Sequence, residues 1–379
     1  MKQRIYLDNA ATTALHPEVA QTMYETSISI FGNPSSIHQD GVRARNLIEE
    51  SRRKISDILH CSPGQIYFTS GGTEANNMIL RSVIELQQIK TVYTTYIEHP
   101  CILNPLSELQ KKFNFKIQFI SVTNAGIIDY EELESKLSND HEKKLVSLMQ
   151  LNNELGSVHD LSIIAKICKL HSAYFHSDTT QSIGLMPMNA EELGIDFFCG
   201  SAHKFHGPKG IGFVYFKEPG LHQALIHGGG QERNMRSGTE NTIGIAGLTK
   251  ALELIHQNKN SILTHLEFLN QYCKQQLSQH FPQLEFFGTK ETTHPKILTF
   301  HCPSFSGIEM LLINLDIHGI SVSGGSACSS GAEKKSHVMQ QLKPDSDGRS
   351  IRISFAYNNT KVEIDQLILV LKKLLPNQE

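Results

Sequence analysis

The chain has no tryptophan, no pair of cysteines in C-x-x-C spacing, and no excess of charge of either sign. It also has no apolar run near the roughly 20 residues that a membrane span needs. Each absence excludes something, except the first, which says nothing about function. Lysine and arginine number 35 against 38 aspartates and glutamates, a formal net charge of -3. That balance removes the electrostatic case for a nucleic acid or a membrane surface as partner. The seven cysteines, at 61, 101, 168, 199, 273, 302 and 328, are an odd number without paired spacing. A zinc ribbon and a thioredoxin-like site are therefore excluded, and free thiols in a reducing cytoplasm are expected. Residues 1–7 run straight into an apolar, strand-like segment, so neither a signal nor a transit peptide is expected. Among 19 histidines, His203 and His206 stand three apart. Gly207 and Pro208 follow at once, so no helix carries both imidazoles onto one face, and no metal site is expected there.

What remains is a chain of 379 residues, 39% hydrophobic, long enough for a large domain and a smaller one. Apolar positions at helical spacing mark 43–59 and 73–88 as helices. Short apolar runs at 65–69, 91–96, 116–120, 144–149, 173–177 and 210–216 read as strands. Their alternation with helices predicts an α/β fold with a mostly parallel sheet covered on both faces. After a helix at 241–257 the pattern changes. Strands at 297–301, 320–323 and 351–355 surround a helix at 306–318, and a last helix spans 361–375. This predicts a large domain at 15–260 and a smaller α+β domain made of 1–14 and 261–379.

Lys204 lies between an apolar stretch at 195–199, read as a buried strand end, and the run Gly207-Pro208-Lys209-Gly210. Desolvation disfavours the charge of a lysine and leaves a nucleophilic amine. A neutral amine forms a Schiff base with an aldehyde, most often that of pyridoxal phosphate. The other motifs can be read against such a pocket. Gly71-Gly72-Thr73 follows a strand and opens a helix, which suits a phosphate because free N–H groups and the positive dipole end converge there. It is also what an ordinary turn with a threonine cap looks like. Asp178, at a strand end with Gln181 three residues on, suits a protonated ring nitrogen, or else caps a following helix. His99 ends another strand, where an imidazole stacks on a flat ring and moves protons, or is a loop residue before Pro100. A second glycine-rich segment, His227 to Asn241, includes Thr239 and offers a second phosphate contact or a plain surface loop. Cys328 sits among Gly and Ser from Ser323 to Gly331, an exposed and mobile setting that suits a nucleophile. The other six cysteines read as structural, with Cys101, two past His99, set apart. Arg352, mid-strand, either grips a substrate carboxylate or lies on an exposed strand face.

In their order along the chain, these segments closely resemble the pyridoxal-phosphate cysteine desulfurases of the NifS/IscS type. These are fold-type I enzymes of the class-V aminotransferase family. The resemblance also takes in residues 6–13, 31–36 and Asn152-Asn153-Glu154-Leu155-Gly156, and so covers nearly the whole chain. It implies that Lys204 carries the cofactor and moves protons, that His99 stacks on the ring, and that Asp178 pairs with the ring nitrogen. Gln181 and Asn153 would address the ring oxygen side, with Asn153 also near the substrate carboxylate. Gly72, Thr73, Ser201 and His203 would hold the phosphate, joined by Thr239 from the second subunit of a homodimer. Arg352 would bind the carboxylate of L-cysteine, and Cys328 would take its sulfur as a persulfide and release alanine. Sulfur would then pass to an acceptor protein, by default for iron–sulfur cluster assembly, with tRNA thiolation as the other destination. Selenocysteine lyase is the alternative activity on this fold; the Cys328 loop favours desulfuration. Housekeeping members dock a scaffold through a C-terminal tail, whereas this chain stops just after its last helical pattern, so either a different docking mode or a different acceptor is expected.

Overall fold

The computed structural model describes residues 4–324 and 336–375. Elements are numbered in chain order. After β1 (Ile5–Tyr6) come β2 (Ile66–Thr69), β3 (Thr91–Thr94), β4 (Lys116–Phe119), β5 (Lys144–Ser147), β6 (Tyr174–Ser177), β7 (Phe197–Ser201) and β8 (Gly212–Phe216). These last seven form one sheet in the order β2-β8-β7-β6-β5-β3-β4. The pairs β4–β3, β3–β5, β5–β6 and β6–β7 are parallel, while β8 runs antiparallel to both β7 and β2. Every residue of β2, β3, β5, β7 and β8 is buried. Strands covered on both faces read as continuous apolar runs, which is why the pattern was legible. The edge strand β4 alternates instead, exposing Lys116 and Gln118.

Around this sheet lie α1 (Pro17–Ser29), α2 (Gln39–Leu59), α3 (Gly72–Leu86), α4 (Pro100–Gln110), α5 (Tyr130–Ser138), α6 (Leu161–Leu170) and α7 (Ala190–Leu193), followed by α8 (Thr242–Gln257) and α9 (Lys259–His280). The two-residue period of β7 distributes its side chains. Phe197 and Cys199 join the core beneath α3 and α4, and Phe198 joins the opposite core with α2, α6 and α8. The helices α1 and α9 lie outside the elements read from the sequence. The first buries only Val19 and Thr26 and the second only Leu266, Leu269, Cys273 and Leu277, so neither has a dense apolar stripe.

The remaining strands are β9 (Glu285–Phe286), β10 (Ile297–Cys302), β11 (Ile320–Ser321) and β12 (Arg349–Ser354). β10 pairs antiparallel with β12 on one side and β9 on the other, and β1 runs parallel to β11. Asp8 bridges to Ser354, so residues just after β1 lie beside β12. Among the described residues, three helices complete this part: α10 (Leu311–Ile317), α11 (His337–Leu342) and α12 (Lys361–Leu374). The expected helix over 306–318 is a 3-10 turn at Ile308–Met310 that leads into α10. α12 starts at a capping box in which Thr360 and Glu363 satisfy each other's backbone N–H.

A buried ion pair ties the glycine-rich 227–241 segment to the sheet. Arg52 Nη2 and Nη1 lie 2.8 and 2.9 Å from the two Glu232 carboxylate oxygens, and Glu232 also accepts the Phe68 N–H. With both groups buried, the bidentate geometry offsets their desolvation, and the pair fixes how this segment lies over β2.

Candidate active site

The carboxyl ends of β3, β5, β6 and β7 all open on one edge of the sheet, as expected of a ligand site in an open α/β fold. They deliver Glu98 and His99, then Asn152 and Asn153, then Asp178 and Gln181, then Ser201, His203 and Lys204.

β2 ends on the same edge and turns into α3 through Gly71 and Gly72. Gly71 has φ +152°, a conformation that side chains resist, and a Cβ on it would come within 3.3 Å of Ser201 Oγ. A Cβ on Gly72 would meet Thr180 Oγ1 at 2.7 Å. The two glycines thus let the first turn of α3 lie against the Ser201 hydroxyl. Gly71 is the N-cap and no side chain caps this end, so the reading of Thr73 as a helix cap is corrected; Thr73 is exposed within the first turn. Uncapped N–H groups, a serine hydroxyl and a threonine hydroxyl are the donor set of an anion cradle. His203 stands close by in sequence. Its Nδ1 bonds Thr12 Oγ1 at 3.1 Å, and burial together with Lys204, Lys209 and Lys296 pulls its pKa down to about 4.

Asp178 is buried, and no helix follows it, so its reading as a helix cap is corrected: Oδ1 accepts the Thr180 N–H at 2.9 Å in a turn. Oδ2 accepts from Asn76 Nδ2 at 3.0 Å and lies 3.5 Å from the Cys101 thiol. Burial raises its pKa, but the Thr180 bonds and the neighbouring His99 and His176 outweigh that, and the carboxyl titrates below its ordinary range. Asn76 is the hub of this arrangement and was not singled out from the sequence. Its Oδ1 accepts from His176 Nε2 and from the Cys199 thiol, both at 3.1 Å. His176 Nδ1 in turn meets Ser147 Oγ at 2.9 Å. Burial lowers His176 to about 4, so it is neutral and its proton sits on Nε2.

Lys204 ends a 3-10 turn after β7, half-buried. Its Nζ donates to the carbonyls of Ala10 and Ala11 at 2.8 and 2.9 Å. Gln181 Nε2 donates to the same Ala10 carbonyl at 2.8 Å. The segment after β1 therefore meets the two residues the sequence linked to a cofactor ring.

His99 is the N-cap of α4, not a plain loop residue. Its Nδ1 accepts the Cys101 N–H at 3.1 Å, which leaves the proton on Nε2. Burial lowers its pKa, Lys204 and His337 add to that, and Asp178 opposes it. Glu98 beside it is fully buried and also went unremarked in the sequence. Oε1 accepts the Met149 N–H at 2.7 Å, while Oε2 has no partner among the described residues. Burial and Asp178 drive its pKa well above the usual carboxylate range.

Arg352, on β12, is 1% exposed, which corrects the reading of an exposed strand face. Nη2 pairs with Asp8 Oδ1 at 2.7 Å, Nη1 donates to the Asn153 carbonyl at 2.6 Å, and Nε has no partner among the described residues. Glu154, buried next to Asn153, accepts the Ser336 hydroxyl at 2.6 Å. Thr239 is exposed and shares a cleft with Thr69, Ser70, Gly210 and Asn241, beside the strand that leads to the cradle. Arg236 holds this segment to α3 through Glu74 at 3.0 Å. Cys328 lies outside the described residues. The six described cysteines are free, and burial raises each thiol; Cys61, the least buried, goes up to about 12 and Cys302 to about 11.

These residues fit pyridoxal phosphate. A glycine cradle with a serine hydroxyl, an ionised buried carboxylate and a lysine amine held at a strand end are the three contacts such a cofactor requires.

Comparison with known proteins agrees. The aminotransferase class-V family matches residues 5–367. A cysteine desulfurase IscS from Dictyoglomus turgidum is 37% identical over 99% of this chain and 95% of its own length. Among solved structures, a NifS-like protein superposes with a TM-score of 0.90 at 34% identity, covering 98% of this chain and 99% of that one. A NifS-like protein from Rickettsia africae gives 0.87 at 33% identity, covering 98% and 99%.

Proposed function

The chain belongs to the class-V aminotransferase family and is a pyridoxal-phosphate-dependent cysteine desulfurase, and from that premise we propose that it converts L-cysteine to L-alanine and leaves the sulfur on Cys328 as a persulfide. The observation that carries this reading is the convergence of Lys204, His99 and Asp178 on one sheet edge, beside a glycine cradle. When bound, the cofactor supplies an electron sink that makes the α-proton of the substrate removable.

The residues then have distinct tasks. Gly72, Thr73, Ser201 and His203 hold the phosphate. Asp178 keeps a ring nitrogen protonated, since its own proton is lost well below neutral pH. Gln181 and Asn153 address the ring oxygen side. Lys204 takes the α-proton and returns it, and neutral His99 assists. Arg352 exchanges Asp8 for the substrate carboxylate, with Asn153 close by. The thiolate of Cys328 attacks the substrate sulfur. An S–S bond forms, the carbon–sulfur bond breaks with its electron pair going to carbon, and protonation of that carbon completes alanine. The raised thiols of the six described cysteines support this assignment, because none is a ready thiolate.

The large part at 15–260 carries the cofactor in this reading, and 1–14 with 261–379 carries the Cys328 loop. A homodimer is supported by the apolar side chains that α1 and the segment after it expose, Tyr24, Ile28, Phe31 and Ile37. Thr239 of the partner subunit would complete the phosphate site. Sulfur then passes to an acceptor protein in the cytoplasm, for iron–sulfur cluster assembly. No helix among the described residues is long and apolar enough to cross a membrane.

The test is alanine formation from L-cysteine by the Cys328→Ala variant. The rate is expected to fall on the order of 10³-fold or more, as when a covalent nucleophile is removed. Cys61→Ala and Cys302→Ala are expected to stay within about twofold. Undiminished alanine from Cys328→Ala would replace the desulfurase mechanism with a lyase that needs no cysteine.

A further inference from the structure

The least expected group near the site is a second lysine. Lys296 enters β10 and is 3% exposed. Its Nζ donates to Gln181 Oε1 at 3.1 Å, to the Lys204 carbonyl at 3.2 Å and to the Gln181 carbonyl at 3.4 Å. No carboxylate of the described residues pairs with it. The charged or titratable groups around it are Lys204, Arg352, His203, His206 and His294. A cation buried among cations is costly, so a specific geometric task is the reason to look for.

We propose that Lys296 is a positioning residue: it fixes the side-chain amide of Gln181 and thereby the ring-oxygen side of the cofactor site. The argument rests on donor and acceptor chemistry. A lysine ammonium offers only donors at this contact, so the Gln181 oxygen must face it. The Ala10 carbonyl offers only an acceptor, so the Gln181 nitrogen must face that. Together they allow one amide orientation. The flipped amide would set N–H against amine and oxygen against carbonyl, leaving buried polar atoms unpaired. In the allowed orientation Gln181 Nε2 keeps a second N–H for a ring oxygen. Burial, with Lys204 and Arg352 nearby, brings Lys296 down to about 7. The neutral amine gains a lone pair and no longer excludes the flipped amide by itself, so above that pH the Ala10 carbonyl, which can only accept, keeps the amide in the same orientation.

This inference rests on the proposed contact between Gln181 and the cofactor, and the experiment separates the two. The apo-protein is titrated with pyridoxal phosphate and the dissociation constant read from the visible absorbance, in wild type, Lys296→Met, Gln181→Ala and the double variant. Lys296→Met is expected to weaken binding about tenfold, the scale of one buried hydrogen bond left unmade. In the Gln181→Ala background the same substitution is expected to change it by no more than about twofold. Lys296→Gln keeps a donor without the charge and is expected to recover binding to within about threefold of wild type. An equal loss in both backgrounds, or no loss in wild type, would overturn the positioning role. Unchanged binding by Gln181→Ala would overturn the Gln181 contact itself. Should Lys296→Met not fold, Lys296→Ala removes the donor without filling its space and carries the same comparison.

Discussion

Lys204→Ala is expected to lower alanine formation by about 10⁴-fold or more, the largest effect of any single substitution in this chain. In the proposed mechanism the amine attaches the cofactor and is also the base and acid for the substrate carbon. Removing it takes away both tasks. It also removes the donor that the Ala10 and Ala11 carbonyls now share at 2.8 and 2.9 Å. The fold should survive, because Lys204 lies at the site edge and not in the apolar core. The measurement is a single-turnover assay of alanine with the variant reconstituted with pyridoxal phosphate. Partial recovery with a small exogenous amine would identify proton transfer as the missing step. A variant that keeps a tenth of the wild-type rate would remove Lys204 from the chemistry.

Asp178→Asn is expected to lower kcat by about 10² to 10³-fold with a small change in KM, since the lost interaction matters when charge builds up on the ring. The amide substitution is isosteric but electrostatically wrong. Asp178 accepts from Thr180 N–H on one oxygen and from Asn76 on the other. Asn76 cannot turn over to help, because its oxygen already accepts from His176 and Cys199. The new amide nitrogen would therefore face either the Asn76 donor or the Thr180 N–H, and a buried donor would go unpaired. The check is steady-state kinetics together with the visible spectrum of the holoenzyme, which reports the protonation of the ring. A change in KM alone would mean that Asp178 only shapes the pocket.

The candidate residues that were legible are those at strand ends followed by glycine, proline or a turn. Lys204, Asp178, His99 and the Gly71–Gly72 turn stand out because apolar strands stop abruptly before them. The residues that were not legible act across long separations in the chain. Asn76 looks like one more polar residue in the first turns of α3, and only the packing of β6, β7 and α4 makes it the hub of the Asp178 site. Glu98 reads as an ordinary charged neighbour of His99, yet it is fully buried and burial pushes its pKa well up. Lys296 lies 92 residues from Lys204 and touches its carbonyl. Arg352 was ambiguous for the same reason. A single arginine among isoleucines fits an exposed strand face, and only the approach of Asp8 and Asn153 shows that it is buried and paired. In the sheet, the apolar runs did not reveal that β8 is antiparallel, because strands buried on both faces look alike in either direction.

The most direct test of the central claim is the mass of the peptide containing Cys328, after the holoenzyme has met one equivalent of L-cysteine without reductant. The predicted result is a gain of one sulfur atom on that peptide and an equal amount of alanine in solution. Alanine in full yield with the Cys328 peptide unchanged would contradict it.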